Sequence, residues 1–131
     1  IDNGEVAVDR VVAVIDPGLA VAPDGIAAQL ESGIIYGLTA ALFGEITIED
    51  GAVVQSNFHD YPSVRMNQAP KIETHIINSG HDIGGAGEPG TPGIGPALAN
   101  AVFDATGIRV RQLPLKNFDL NFRVEETGDV A

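Results

Sequence analysis

Apolar positions recur along the chain in two periods, and together they predict a strand-and-helix domain. Glu5 to Ile15 is rich in β-branched residues with partial alternation, which predicts a buried strand. Asp2-Asn3-Gly4 is a turn signal before it, and Asp16-Pro17-Gly18 ends it. Pro23-Asp24-Gly25 opens the next element, with Asp24 in the position of an N-cap. From Ile26 to Phe43 the period changes: Ile26, Leu30, Ile34, Leu38 and Leu42 recur every four residues, with Ala27, Ile35 and Ala41 beside them. This predicts a helix over about 25–43. A second face of the same helix carries Gln29, Gly33, Gly37, Ala40 and Gly44, nearly all small. Each interior Gly costs roughly 1 kcal/mol relative to Ala, so something must approach that face closely. The occupant is either another element of the fold or a ligand lying against Gln29 and the glycines.

Glu45 to Ser56 reads as two strands around Glu49-Asp50-Gly51, because Asp-Gly is a favoured pair for a tight hairpin turn. Phe58 to Ala69 has no clear period and reads as a loop, whose polar and aromatic side chains suit a surface or the lining of a site. Lys71 to Asn78 alternates again, a strand leading directly into a glycine-rich stretch. Beyond that stretch, Thr91-Pro92 or Gly95-Pro96 starts a second helix, about 92–106, with an apolar face of Ile94, Leu98, Ala101, Val102 and Ala105 and a C-cap at Gly107. Ile108 to Leu115 reads as a last strand, ended by Pro114. The expected fold is therefore α+β, a mixed β-sheet with two main helices. Its body covers 1–116, and 117–131 forms an acidic tail that wraps on a partner or is disordered.

Composition narrows the function classes. A net charge of −11 argues against a nucleic-acid partner, which needs clustered Lys and Arg, and disfavours membrane surfaces. No apolar run approaches the ~20 residues of a spanning helix. Without Cys there is no thiolate nucleophile, disulfide framework or Cys metal site, and neither a cytoplasmic nor a periplasmic compartment is indicated. The start at Ile1, running almost at once into a strand pattern, reads as a processed product or an excised piece of something larger.

The chemistry concentrates between Ser79 and Pro96, where seven of the sixteen glycines fall in eighteen residues. Backbone there either turns where side chains cannot fit or comes very close to something. One carboxylate, Glu88, stands in the middle, between a residue with no side chain and one of fixed φ. Gly85-Ala-Gly-Glu-Pro-Gly90 formally satisfies the dinucleotide fingerprint, but Pro89 interrupts it and Glu88 would repel a pyrophosphate. A phosphate loop fails for want of a Lys. His59, His75 and His81 with Asp60 and Asp82 fit no standard metal-ligand spacing. Two readings of Glu88 stay open: a partly desolvated general base, or a carboxylate that caps the following helix or bonds nearby amides.

These residues also carry a resemblance. Gly85-Ala-Gly-Glu-Pro-Gly90, the stretch from Pro96 to Gly107 and Leu113-Pro114 resemble the C-terminal part of the molybdopterin-binding subunit of the xanthine dehydrogenase and aldehyde oxidase family. Val11 to Gly18, Gln29 to Leu38 and Asp50-Gly-Ala-Val occur in the order that family would place them. Gly-Thr-Pro after Glu88-Pro89 is more similar to the isoquinoline 1-oxidoreductase-like branch than to the xanthine dehydrogenases.

The resemblance implies a molybdenum hydroxylase acting on an N-heterocycle or aldehyde. Glu88 would take the proton from a molybdenum-bound hydroxyl as that oxygen attacks an electron-poor carbon, with hydride passing to the metal's sulfido ligand. Gln29 would contact the pterin, and the amides of Gly85, Ala86 and Gly87 would hydrogen-bond a molybdopterin-type molybdenum cofactor, the cytosine dinucleotide form being one candidate. No residue of this chain would ligate the metal. The implied partners are the remainder of the molybdenum subunit, an iron–sulfur electron-transfer subunit and a small-molecule substrate. Tyr36 stands where many relatives have a polar Gln, which bears on the shape of the substrate pocket. The rival reading is a non-catalytic assembly domain whose glycines serve packing.

Overall fold

The structure, a computed structural model, describes residue 1, residues 4–118 and residue 120. Strand β1 (Arg10–Ile15) leads through a turn into helix α1 (Pro23–Leu42), followed by a short hairpin of β2 (Ile48–Glu49) and β3 (Ala52–Val53). A loop with one 3₁₀ turn at Met66–Gln68 reaches β4 (Lys71–Ile76), and the glycine-rich stretch then delivers helix α2 (Gly90–Thr106). The class is α+β with the two expected helices. The strands form two separate pairs rather than one sheet: β1 with β4 in parallel, Arg10 opposite Lys71 through Ile15 opposite Ile76, and β2 with β3 antiparallel.

Helix α1 is the central element. Its four-residue period places Leu30, Ile34, Leu38 and Leu42 in the core, with Leu38 only 1% exposed. There they meet Ile94, Leu98 and Val102 of α2, Ile15 of β1, and Leu115. The small face of α1 is where α2 approaches. A Cβ at Gly33 would come within 3.2 Å of Gly90 Cα, and one at Gly37 would overlap the Ile94 side chain and lie 2.6 Å from the Thr91 carbonyl oxygen. Of the two occupants left open by the pattern, the packing helix holds Gly33 and Gly37, while Gln29 is exposed. Thr91 adds a hydroxyl bond to the Gly33 carbonyl at 3.2 Å.

The hairpin and caps follow local chemistry. Asp50 (φ 50°) and Gly51 (φ 80°) both take left-handed backbone, the requirement of a tight primed turn. Gly107 (φ 72°) ends α2 with its N–H on the Phe103 carbonyl at 2.7 Å.

Five expectations need correction. The first strand is shorter and less buried than expected: the strand runs over Arg10–Ile15 with an isolated bridge at Glu5, and Val12 and Val14 are 49% and 61% exposed. Asp24 is not the cap of α1, since Pro23 at the first helical position moves the boundary to Ala22, leaving Asp24 in the first turn. Helix α2 begins at Gly90 with Pro89 as its cap residue, so Thr91 and Pro92 lie inside the first turn and Pro96 lies within the helix. Ala101 and Ala105 are exposed, because the core stripe of α2 is narrower than the sequence pattern. Ile108 to Pro114 forms no strand; Ile108 and Val110 pack on the core while Arg109 lies over the Phe103 ring at 3.4 Å, so the alternation arises without a ladder.

The chain closes on itself through Glu45, which accepts from Asn117 Nδ2 at 3.0 Å and pairs with Lys116 Nζ at 3.0 Å. Of the expected tail, Asn117, Phe118 and Leu120 are described, and Leu120 is buried in the core. The rest of 117–131 lies outside the described residues, as do Asp2 and Asn3 of the opening turn. No helix among the described residues is long and apolar enough to cross a membrane.

The helix contact predicts a contrast between glycines. Gly37→Ala should destabilise the domain by about 1–3 kcal/mol, the range for overpacking, whereas Gly87→Ala should stay within about 0.5 kcal/mol as an open surface change. Urea denaturation of the two variants checks this, and equal midpoints would refute the packing role of Gly37.

Candidate functional site

Both strands of the parallel pair end on the same side, and the turns that follow them meet there. In open α/β sheets this carboxyl end is where ligands bind. After β1, Asp16 accepts the Gly18 N–H at 2.9 Å, which fixes Gly18 in left-handed backbone (φ 78°). After β4, Ser79 donates its hydroxyl to the same Asp16 oxygen at 2.8 Å. Those two hydrogen bonds, led by the Gly18 amide, hold the Asp16 carboxyl below the usual carboxylate range. Backbone bonds repeat the connection: Ile77 N–H to Ile15 O at 2.8 Å, Gly80 N–H to Gly18 O at 3.2 Å and Gly84 N–H to Pro17 O at 2.8 Å. The Asp82 carbonyl oxygen sits where a Cβ on Gly18 would stand.

From Gly84 the loop runs to α2. Ala86 is partly buried against the core, while Gly85 and Gly87 are exposed. Neither of these glycines has left-handed φ, and a Cβ on either would meet nothing within 4 Å. Nothing in the described chain therefore requires glycine at these two positions. Glu88 follows, exposed, with its carbonyl accepting the Thr91 N–H at 2.9 Å. The sequence pattern suggested a partly desolvated carboxylate; in this chain Glu88 faces solvent, so any water exclusion must come from groups outside it. Its side chain caps no helix, since α2 has no side-chain cap bond.

Gln29 and Glu88 come to the same end of the helix pair. A Cβ on Gly90 would lie 2.5 Å from the Leu30 carbonyl oxygen. Gln29 is next to Leu30 and Glu88 two residues before Gly90, so both lie close in sequence to this backbone contact. Beside them, between β1 and the first turns of α2, is a slot of about 230 Å³ lined by Val12, Val14, Pro89, Gly93 and Ala97 among others. A larger groove of about 800 Å³ lies between the outer face of α1 and the 58–70 loop, with Tyr36, Phe58 and Tyr61 in its walls, and touches neither candidate residue.

Among the described residues no three His, Asp or Glu side chains converge as a metal site. Among the described residues His59, His75 and His81 do not assemble, and His59 lies 3.6 Å from its neighbour Asp60. Asp60 instead ties its own loop: one oxygen accepts the Ser56 N–H at 2.8 Å and its hydroxyl at 2.9 Å, the other the Asn57 N–H at 2.9 Å. The Ser-Asn-x-x-Asp spacing carries that local signal, which a search for helical or strand period passes over. The Asp16 to Ser79 bond, spanning 63 residues, has no local signal at all.

A family model described as the molybdopterin cofactor-binding domain matches residues 1–70. The chain belongs to this family. The matched region includes Gln29 and stops short of Glu88. Similarity to individual proteins extends further: 40% identity over 110 residues, 84% of this chain, to the isoquinoline 1-oxidoreductase subunit beta of Brevundimonas diminuta. Identity is 35% over 118 residues, 90% of this chain, to a membrane-bound aldehyde dehydrogenase of Gluconacetobacter polyoxogenes named for pyrroloquinoline quinone. Among solved structures, a Cu,Mo-CO dehydrogenase superposes with a TM-score of 0.76 at 28% identity over 87% of this chain. The molybdopterin-binding chain spans 14% and 15% of the lengths of those two relatives and 16% of that structure.

Asp60 supplies a test of the loop geometry. The Asn57 and Ser56 amides lower its pKa from 3.8 to about 2. A depressed carboxylate stabilises the fold above its unfolded pKa and loses that contribution as pH falls through the folded value. The Asn57 amide signal in an NMR titration should therefore move with a midpoint near pH 2; a midpoint near 3.8 would mean that the bonds are not formed.

Proposed function

We propose that this chain is part of a molybdenum hydroxylase that oxidises an N-heterocycle or an aldehyde by water-derived hydroxylation, with Glu88 as the general base. The observation that carries the reading is the pair Gly85 and Gly87 flanking the approach to an exposed Glu88, since neither the backbone conformation nor packing within the chain calls for them. A bound group that comes within van der Waals distance of the backbone would call for them. Membership of the molybdopterin-binding family supplies the identity of that group. The names of the two relatives, an isoquinoline oxidoreductase and an aldehyde dehydrogenase, support the substrate classes.

The residues fit the cofactor on these grounds. Gly85, Ala86 and Gly87 would offer backbone amides to its oxygens, and Gln29, exposed at the near end of α1, would hydrogen-bond the pterin. When bound, the molybdenum cofactor supplies the oxygen to be transferred and accepts the electron pair. Overall a C–H bond and water become a C–OH group, two protons and two electrons. Glu88 accepts one of those protons at its carboxylate as the oxygen nucleophile attacks. Pro89 and the start of α2 hold the Glu88 backbone at one end, so the carboxylate works from a fixed base. The electrons leave to an iron–sulfur partner subunit, and the remainder of the molybdenum subunit excludes water from the site. In the rival reading, a non-catalytic assembly domain, the Glu88 carboxylate would be dispensable.

Two expected outcomes separate these roles. In the complete parent subunit with its electron-transfer partner, Glu88→Gln should lower kcat on the order of 10²–10⁴-fold at unchanged molybdenum content, the range for loss of a general base. Near-normal turnover would leave the loop as architecture and favour the assembly reading. Gln29→Ala should lower cofactor retention instead, read as molybdenum and pterin per protein after gel filtration; full occupancy would remove Gln29 from the cofactor contacts. Identifying the nucleotide released by hydrolysis of the holoenzyme decides whether the pterin is the cytosine dinucleotide form.

A further inference from the structure

We propose that Asp16 is a positioning residue for Glu88, acting through Ser79 to hold the glycine loop against the turn after β1; the inference rests on the reading of Glu88 as the base. One oxygen of Asp16 accepts from both sides of the junction, the Gly18 N–H at 2.9 Å and the Ser79 hydroxyl at 2.8 Å. The first bond shapes the turn on which the loop rests, and the second attaches the loop to it. Around this carboxylate run the backbone bonds from Ile77, Gly80 and Gly84, and the Asp82 carbonyl covers Gly18. Past Gly84 no further hydrogen bond is made among the described residues until the Thr91 N–H reaches the Glu88 carbonyl.

Glu88 is thus set by two anchors, one at the Asp16 junction and one at the start of α2, with Gly85, Ala86 and Gly87 spanning between them. Within the span only Ala86 packs on the core, while Gly85 and Gly87 meet nothing, so loosening the first anchor widens the range of positions that Glu88 can take. Proton transfer depends on placement within about 1 Å, so loosening the first anchor should cost rate before it costs binding. Asp16 remains ionised at neutral pH, its carboxyl held low by the two hydrogen bonds it accepts, and an ionised acceptor makes the stronger bond to the Ser79 hydroxyl.

The experiment uses the complete parent enzyme with its electron-transfer partner and compares Ser79→Ala, Asp16→Asn, Asp16→Ala and Glu88→Gln at matched molybdenum content. Ser79→Ala removes the side-chain bond to Asp16 and leaves the Gly18 turn and the backbone bonds of the junction in place, so it tests the idea even where Asp16→Ala fails to fold. Its kcat should fall about tenfold with KM unchanged. Asp16→Asn, which keeps an oxygen acceptor for both donors, should retain most of the turnover. Combined with Glu88→Gln, Ser79→Ala should add no further loss, because it acts only through the glutamate. Normal kcat in Ser79→Ala, a loss that follows molybdenum content or appears in KM, or a full tenfold loss added to Glu88→Gln would overturn the proposal. If Glu88→Gln is itself near normal, the base reading fails and this inference falls with it. If Glu88→Gln is inactive while Ser79→Ala is normal, only the positioning role fails.

Discussion

The close approach of α1 and α2 is the constraint on which the rest depends. Gly33 and Gly37 on one helix and Gly90 on the other remove the Cβ atoms that would hold the axes apart, and Thr91 donates to the Gly33 carbonyl across the gap. An interior Gly weakens a helix on its own, so these residues are tolerated because the contact they permit buries Ile34, Leu38, Ile94 and Leu98 together. The same contact fixes the first residue of α2. Since Glu88 lies two residues before Gly90, the packing of a helix pair sets the starting position of the candidate base. Architecture and chemistry are joined at that point in the chain.

The glycines of the domain divide into groups with different causes. Gly18, Gly51, Gly80 and Gly107 adopt left-handed backbone, which a side chain would strain. Gly33, Gly37 and Gly90 are held by contacts inside the fold. Gly25, Gly84, Gly85, Gly87, Gly93 and Gly95 have neither cause, and of these Gly85, Gly87 and Gly93 border Glu88 or the slot beside it. Composition alone merges these groups, because a glycine's symbol does not say whether it turns, packs or yields room. Only the neighbours in space separate the groups, and the glycines left without either cause include Gly85 and Gly87 beside Glu88.

That division also marks how far the sequence could be read. Helix α1, the Asp-Gly hairpin, the strand before the loop and the cap at Gly107 were legible because each rests on a local rule of period or turn chemistry. Glu88 was legible as a lone carboxylate between Gly87 and Pro89. Its exposure was not, since desolvation depends on what surrounds a group in space. The segment from Ile108 to Pro114 shows the limit of period-two reasoning: Ile108 and Val110 point to the core and Arg109 lies over Phe103, so alternation records an extended chain with one buried side and does not require a partner strand. Asp24 and Ala22 differ by two residues, and Pro23 decided between them. The Asp16 bond to Ser79 joins residues 63 apart, beyond any local pattern.

The parallel pair of β1 and β4 extends the argument from local rules to the assembly. Parallel strands are normally covered on both faces, and here α1 packs on the pair while Val12 and Val14 of β1 remain exposed. Two strands without a second cover are a weak support, because a sheet gains stability from strands and layers added to it. Yet this pair carries at its carboxyl end both the Asp16 turn and the glycine loop that leads to Glu88. The rigidity of the site therefore comes less from the sheet than from the helix contact and from the hydrogen bonds that tie one turn to the other.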